Sequence, residues 1–137
     1  MVGITSRKPY SILITDDDRG CRETLRDIFA EEGYPTYLAA SGEEAIDIVR
    51  GESIHLVLLD MQMPTLNGLE TLELVRQVNA VLPCVLVTAQ ATEALMRQAL
   101  RMHAYSVLAK PVSKPVVLHT VVRALLRAYG GPRGQLP

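Results

Sequence analysis

Ile54-His-Leu-Val-Leu-Leu-Asp60 is an apolar run, rich in branched residues, that stops on a carboxylate. A short continuous run of this kind reads as a strand buried on both faces, the pattern of a parallel sheet covered by helices. Three more runs share the form. Tyr10-Ser-Ile-Leu-Ile-Thr15 leads into Asp16, Asp17 and Asp18; Cys84-Val-Leu-Val87 leads into Thr88; Tyr105-Ser-Val-Leu-Ala109 leads into Lys110-Pro111. In open α/β sheets the ligand site lies beyond the carboxyl ends of the strands. The four tips should therefore converge on one pocket holding carboxylates, a hydroxyl and an ammonium.

Between these runs the apolar spacing becomes helical. Residues 1–9 read as a flexible leader, followed by a strand at 10–15. A helix is expected from Arg19 to Glu32, with Cys21, Leu25, Ile28 and Phe29 on one side and Gly33 ending it. Residues 34–39 read as a second strand. Ser41-Gly-Glu-Glu44 reads as a capping box opening a second helix, which Gly51 closes. A third helix over 66–79 carries Leu69, Leu72, Val75 and Val78 on one side. The next strand starts at Pro83. A fourth helix, Ala91 to Arg101, has Leu95, Met96, Ala99 and Leu100 as its expected buried set. Ser113 caps a fifth helix running to Tyr129, and 130–137 reads as a flexible tail. Strands alternating with helices over 10–129 imply one α/β domain with a doubly wound parallel sheet.

Composition narrows the functional class. The 137 residues carry 48% hydrophobic and 21% charged side chains with a formal net charge of −1, ordinary for a globular domain and unfavourable for a direct nucleic-acid partner. Cys21 and Cys84 are too few for a disulfide framework and read as small core residues. No run has the length of a transmembrane helix, and no apolar signal segment opens the chain, so a cytoplasmic setting without membrane contact is expected.

The expected pocket has a definite chemistry. Two carboxylates about 4 Å apart repel by roughly 4 kcal/mol at an effective dielectric near 20. Several remain ionised together only with compensating charge, of which Lys110 supplies one unit and a divalent cation would supply the rest. Oxygen donors suit Mg²⁺, and an Asp beside such a metal can act as a nucleophile toward phosphorus.

The chain resembles the receiver domain of two-component response regulators over about residues 10–129. The resemblance rests on Ile14-Thr-Asp-Asp-Asp18, Leu58-Leu-Asp-Met-Gln-Met-Pro-Thr-Leu-Asn-Gly68, Val87-Thr-Ala89 and Leu108-Ala-Lys-Pro111. It implies a flavodoxin-like (βα)5 fold with strand order 2-1-3-4-5. It further implies that Asp60 accepts a phosphoryl group from a sensor histidine kinase or phosphotransfer protein. Asp17 would hold Mg²⁺ directly and Asp16 through water, with Asp60 and the backbone carbonyl of Gln62 completing the protein's share. Lys110 would pair with the phosphoryl group, held inward by a cis bond to Pro111. The Thr88 hydroxyl would reach a phosphoryl oxygen and transmit the switch. Gln62 and Gln90 would border the approach of the hydrolytic water and tune the phosphate lifetime. Such a domain promotes its own phosphorylation and dephosphorylation but is a signalling module rather than an enzyme with a turned-over substrate.

Two positions depart from the family pattern. Val107 stands where an aromatic usually swings inward; Tyr105, two residues earlier, should share its face by strand alternation. His103 stands where Gly is usual, and it reads as a solvated helix-end residue. His55 and His119 read as equally plain. On the fifth helix Val117, Leu118, Val121, Val122, Leu125, Leu126 and Tyr129 span about 200° of arc, more than the ~100° stripe that covers a sheet. A homodimer or effector surface is therefore expected over the fourth helix, the fifth strand (105–109) and the fifth helix.

Three other readings remain at this point. A haloacid-dehalogenase-like phosphohydrolase would take its nucleophile from the Asp16-x-Asp18 pattern, but it leaves Asp60 and its Met-Pro turn without a role. A flavin binder conflicts with the acidic trio and the absence of Trp. A docking-only relative of the receiver has no use for the full set of acids, Thr and Lys.

Overall fold

The computed structural model describes residues 7–130. Ten elements alternate: β1 (Ile12–Thr15), α1 (Arg19–Glu31), β2 (Thr36–Ala39), α2 (Gly42–Gly51), β3 (Leu56–Asp60), α3 (Gly68–Val78), β4 (Cys84–Thr88), α4 (Glu93–Arg101), β5 (Ser106–Ala109) and α5 (Lys114–Tyr129). The five strands pair in parallel in the order β2-β1-β3-β4-β5. This is the flavodoxin-like doubly wound arrangement expected from the sequence. The leader over 1–9 and the tail over 130–137 fall outside the described residues except for 7–9 and 130. Within that margin Lys8 N–H donates to the carbonyl of Gly33 at 2.9 Å.

Every residue of β1, β3 and β4 is buried, which is why their sequences are continuously apolar rather than alternating. Strand alternation divides the core in two. Ile12, Ile14, Leu56, Leu58 and Val85 pack with Leu25 and Phe29 of α1 and Val117, Val121 and Leu125 of α5. Leu13, Val57, Leu59, Cys84 and Leu86 pack with Ile46 of α2, Leu72 and Val75 of α3, and Leu95 and Ala99 of α4. Burial of this kind contributes about 1.5–3 kcal/mol per large side chain before the entropy of ordering is subtracted.

Each helix is started by a short polar side chain. Asp18, Ser41, Asn67, Thr92 and Ser113 accept from the backbone N–H three residues on. The capping box expected at Ser41 is incomplete, because Glu44 reaches back to Ala40 N–H instead. The reciprocal box forms at Asn67 and Glu70. Two residues past the end of α1, Gly33 has a φ of 88° that admits the turn while Tyr34 N–H bonds to Phe29 O.

Three further expectations need correction. Only Leu95 and Ala99 of α4 are buried; Met96 is 44% and Leu100 69% exposed. A nine-residue helix on a sheet edge covers the sheet with a single row, and the flanking apolar positions face outward. On α3, Val78 is likewise partly exposed, at the helix's last turn. Tyr105 does not pack against the same half of the core as Val107. It precedes the regular strand, so alternation does not reach back to it. It packs against the α1 and α5 core while Val107 packs against the other.

Some of the apolar excess on α5 finds partners within the fold, although Tyr129 itself stays 37% exposed. Tyr129 stacks on Tyr10 with centroids 5.4 Å apart, meets His55 edge-on, and donates its hydroxyl hydrogen to the His55 carbonyl at 2.8 Å. His55 Nδ1 accepts from Ser11 N–H at 3.0 Å, and burial holds its pKa below the usual value. It is a half-buried histidine with its Nδ1 hydrogen-bonded.

His103 follows α4 with φ of 61°, a left-handed conformation that costs a side-chain-bearing residue about 1 kcal/mol. His103→Gly should therefore raise stability by about 0.5–1 kcal/mol, read from the urea midpoint at unchanged slope. A loss of stability would show that the imidazole makes a compensating contact.

Candidate functional site

The carboxyl ends of β1, β3, β4 and β5 bring the expected side chains together. Asp16, Asp17 and Asp60 each offer a carboxylate oxygen, and these oxygens all lie within 4.8 Å of one another. Asp16 and Asp60 are almost fully buried, at 1% and 3% exposure, while Asp17 is exposed at the rim. Lys110 Nζ lies 3.1 Å from Asp60 Oδ1 and 3.3 Å from Asp16 Oδ2, so one ammonium bridges two strand tips. The Lys110–Pro111 bond is cis, and Lys110 N–H donates to the Thr88 carbonyl at 2.7 Å. Asp18 stands apart from this group as the cap of α1, accepting from Cys21 N–H at 2.9 Å.

Placement is set by local structure. Asp16 Oδ1 accepts from Asp18 N–H at 2.9 Å, and Arg22 of α1 donates to the Asp16 carbonyl at 2.7 Å. The loop after Asp60 folds back over the strand tip, with Gly68 N–H donating to Met61 O at 3.0 Å. A Cβ at Gly68 would stand 2.8 Å from Asp60 O and 2.9 Å from Met61 Cα, so only glycine lets the chain approach this closely.

Burial pushes the Asp60 carboxyl up to about 6, although the Lys110 hydrogen bond opposes this; the charge of Asp16 adds to the rise. Burial also works against the charge on Lys110. The hydrogen bond to Asp60 and the charges of Asp16 and Asp60 outweigh it and hold the ammonium above its usual range. The Asp18 carboxylate is held below its usual value by the Cys21 N–H. A buried carboxylate that ionises reluctantly, beside an ammonium that stays charged, describes a pocket short of positive charge.

Thr88 is fully buried at the tip of β4, and its hydroxyl is held by Gln62. Gln62 Nε2 donates to Thr88 Oγ1 at 3.0 Å, and Gln62 Oε1 lies 3.4 Å from the same hydroxyl. Gln62 Oε1 also accepts from Ala89 N–H at 3.3 Å. Gln90 is exposed and gives its backbone N–H to Thr88 Oγ1 at 3.1 Å. Reading the sequence missed this bridge, because no spacing rule reports a side chain reaching across neighbouring strand tips. The role of Arg22 was missed for the same reason.

Thr15, last in β1, has its hydroxyl buried without a partner among the described residues. An unpaired buried hydroxyl costs about 1–3 kcal/mol. Thr15→Val should therefore stabilise the domain by about 1 kcal/mol in chemical denaturation. A loss would show that the hydroxyl is bonded in solution.

The donor set fits Mg²⁺. All ligand-capable side chains in the cluster are carboxylates, with no His or Cys among them. Three carboxylates facing one ammonium leave two negative charges, which a divalent ion would match. Beside the pocket, a cleft of about 400 Å³ runs between α1 and the β5–α5 loop. Its wall is mainly apolar, including Cys21, Leu25, Ile28 and Val112, and it opens onto Asp16 and Lys110.

The sequence model of the response regulator receiver domain matches residues 12–123. The chain belongs to this family. Among similar proteins, sporulation initiation phosphotransferase F of Bacillus subtilis is 37% identical over 100 residues, 73% of this chain and 81% of the relative. The response regulator MprA of Mycolicibacterium vanbaalenii is 37% identical over 87% of this chain and 51% of its own length. Transcriptional regulatory protein CpxR of Escherichia coli K12 is 35% identical over 85% and 49%. This receiver domain thus spans about half the length of the MprA and CpxR relatives. Among solved structures, a CheY-like receiver from Methanospirillum hungatei aligns with TM-score 0.82 and 27% identity, covering 86% of this chain and 94% of that one. A chain in the CheX-CheY-BeF3-Mg complex of Borrelia burgdorferi aligns with TM-score 0.81 and 29% identity, covering 84% and 88%. As a receiver domain of a two-component response regulator, the chain is a signalling module. No helix among the described residues is long and apolar enough to cross a membrane.

Proposed function

We propose that this receiver domain accepts a phosphoryl group on Asp60 from a phosphohistidine of a sensor histidine kinase or phosphotransfer protein. The observation that carries the reading is the bridging of Asp60 and Asp16 by Lys110 beside Asp17. Asp16, Asp17, Asp60 and the Gln62 carbonyl are the groups that would hold Mg²⁺. When bound, the ion would supply positive charge against the phosphoryl oxygens. Asp60 Oδ attacks phosphorus as the donor's P–N bond breaks, and the phosphoryl group passes to the carboxylate as an acyl phosphate. Lys110 then exchanges its pairing with Asp60 for the equatorial oxygens. Catalysis in such a transfer is mostly positioning and charge stabilisation. The cleft beside α1 gives a partner's apolar surface a seat next to the acceptor.

Reversal needs water in line with the phosphorus–Asp60 bond, and Gln62 and Gln90 flank Thr88 where that water would arrive. Self-catalysed phosphorylation and hydrolysis follow from the same groups. For switching, Val107 is half-buried and offers no ring to swing, so the Thr88 hydroxyl and the loop at 89–91 carry the change. Output passes through α4, β5 and α5, where Met96, Leu100 and Val116 are exposed, to a second copy or an effector protein in the cytoplasm. Identical 89–91 loops in free and beryllofluoride-bound structures would count against this route.

The direct test is intact mass after acetyl phosphate with Mg²⁺ or with EDTA. One added phosphoryl group is expected in the wild type with Mg²⁺ only, and none in Asp60→Asn. Equal labelling of Asp60→Asn would sink the assignment.

A further inference from the structure

The contacts of Gln62 suggest a role beyond lining the pocket. Its side-chain amide sits on Thr88 Oγ1 from both ends, Nε2 at 3.0 Å and Oε1 at 3.4 Å, and Oε1 also takes the Ala89 N–H at 3.3 Å. The Thr88 hydroxyl and Ala89 N–H are the donors that β4 presents beside Asp60. An oxygen of a phosphoryl group on Asp60 would need the same donors, and Gln62 Oε1 already occupies the acceptor position toward both.

We propose that the Gln62 side chain is a resting-state latch that must let go of Thr88 and Ala89 before a phosphoryl group on Asp60 can engage them. This rests on the reading of Asp60 as phosphoacceptor and assigns a regulatory part to a residue of that site. The latch also ties the β3–α3 loop to the start of the β4–α4 loop. That second loop runs from Ala89 through Gln90 and Ala91 to Thr92, the cap of α4. Held in this way, the N-terminal end of α4 is restrained from the far side of the pocket. With valine at 107, the aromatic gate is absent, and Gln62 supplies a restraint in its place.

The amide competes with the anion, so it lowers the apparent affinity for the phosphorylated-like state by the fraction of time it is closed. Ordinary net hydrogen bonds correspond to factors of about two to ten in an equilibrium. Two such bonds from Thr88 and Ala89 to Gln62 Oε1, 3.4 and 3.3 Å long and so near the weak end of that range, make a release effect of about 5- to 20-fold. Gln62→Met keeps the length and the stem and removes both the donor and the acceptor.

The test is a beryllofluoride titration at Mg²⁺ concentrations saturating for each protein, for wild type, Gln62→Met, Thr88→Val and the double variant. Gln62→Met should bind about 5- to 20-fold tighter than wild type. In the Thr88→Val background the gain should shrink, since half of the latch is already gone. Before any ligand is added, the Ala89 N–H of Gln62→Met should exchange with solvent faster than in wild type, a change that a packing role would not produce. A variant that folds as wild type but binds beryllofluoride equally or more weakly would overturn the latch. An unchanged Ala89 exchange rate would do the same. A wild type that binds no beryllofluoride with Mg²⁺ would remove the phosphoacceptor reading, and the latch with it.

Discussion

Asp60→Asn should stabilise the metal-free domain at pH 7.5 by about 1–2 kcal/mol while removing its capacity for phosphoryl transfer. The folded-state pKa of Asp60 is raised to about 6 from an ordinary value near 3.8, chiefly by burial. A carboxyl raised in this way destabilises the fold when ionised. Its contribution to stability therefore grows as pH falls from about 6 toward 4, because the folded state then binds the proton that the unfolded state has not yet taken. A rise of this size corresponds to roughly 3 kcal/mol at neutral pH. Part of this is lost on substitution because Lys110 gives up one of its two carboxylate partners. Urea titrations in EDTA should show the gain at pH 7.5 and its disappearance near pH 4. Adding Mg²⁺ should raise wild-type stability more than that of the variant, since a ligand stabilises by its affinity for the folded state. A variant less stable than wild type at pH 7.5 in EDTA would mean that Asp60 is well compensated without metal.

Gly68→Ala should cost about 2–3 kcal/mol and weaken Mg²⁺ binding as well. The added Cβ would meet backbone rather than a movable side chain, at 2.8 Å from Asp60 O and 2.9 Å from Met61 Cα, with Leu86 Cδ2 at 3.0 Å. Overpacking of this kind is relieved only by shifting the chain. The segment that shifts is the one that presents the Asp60 carboxylate and the Gln62 carbonyl. Denaturation and calorimetric Mg²⁺ titration of the same sample would read both effects. A destabilised variant with unchanged Mg²⁺ affinity would separate the turn from the ion site.

The fold was legible because its strands are buried on both faces and therefore announce themselves as unbroken apolar runs. Their tips were legible because polar residues that end such runs have few reasons to be there. Asp16, Asp60, Thr88 and Lys110 were gathered from spacing alone, and the register of β1, β3, β4 and β5 places them side by side. Caps were found where the residue type left little choice, as at Ser113. The reciprocal box went to Asn67 rather than Ser41 because the choice depends on where a glutamate side chain can reach. Met96 and Leu100 looked buried by period, but α4 lies along an edge where the sheet covers a narrower stripe. Tyr105 was assigned a strand face one residue before the strand begins. Gln62 is the instructive case: the sequence reading set its carbonyl at the ion and its side chain at the water's approach, but that side chain turns to a neighbouring strand tip, which sequence distance does not encode.

The central claim is that the carboxylate after β3, and not one of the three after β1, receives the phosphoryl group. Digestion after arginine makes this separable, because the peptide from Gly51 to Arg76 contains Asp60 as its only aspartate and Asp16, Asp17 and Asp18 fall on another. Protein treated with acetyl phosphate and Mg²⁺, then reduced with borohydride, should carry homoserine in place of Asp60. Conversion at Asp16, Asp17 or Asp18 with Asp60 unmodified would contradict the account.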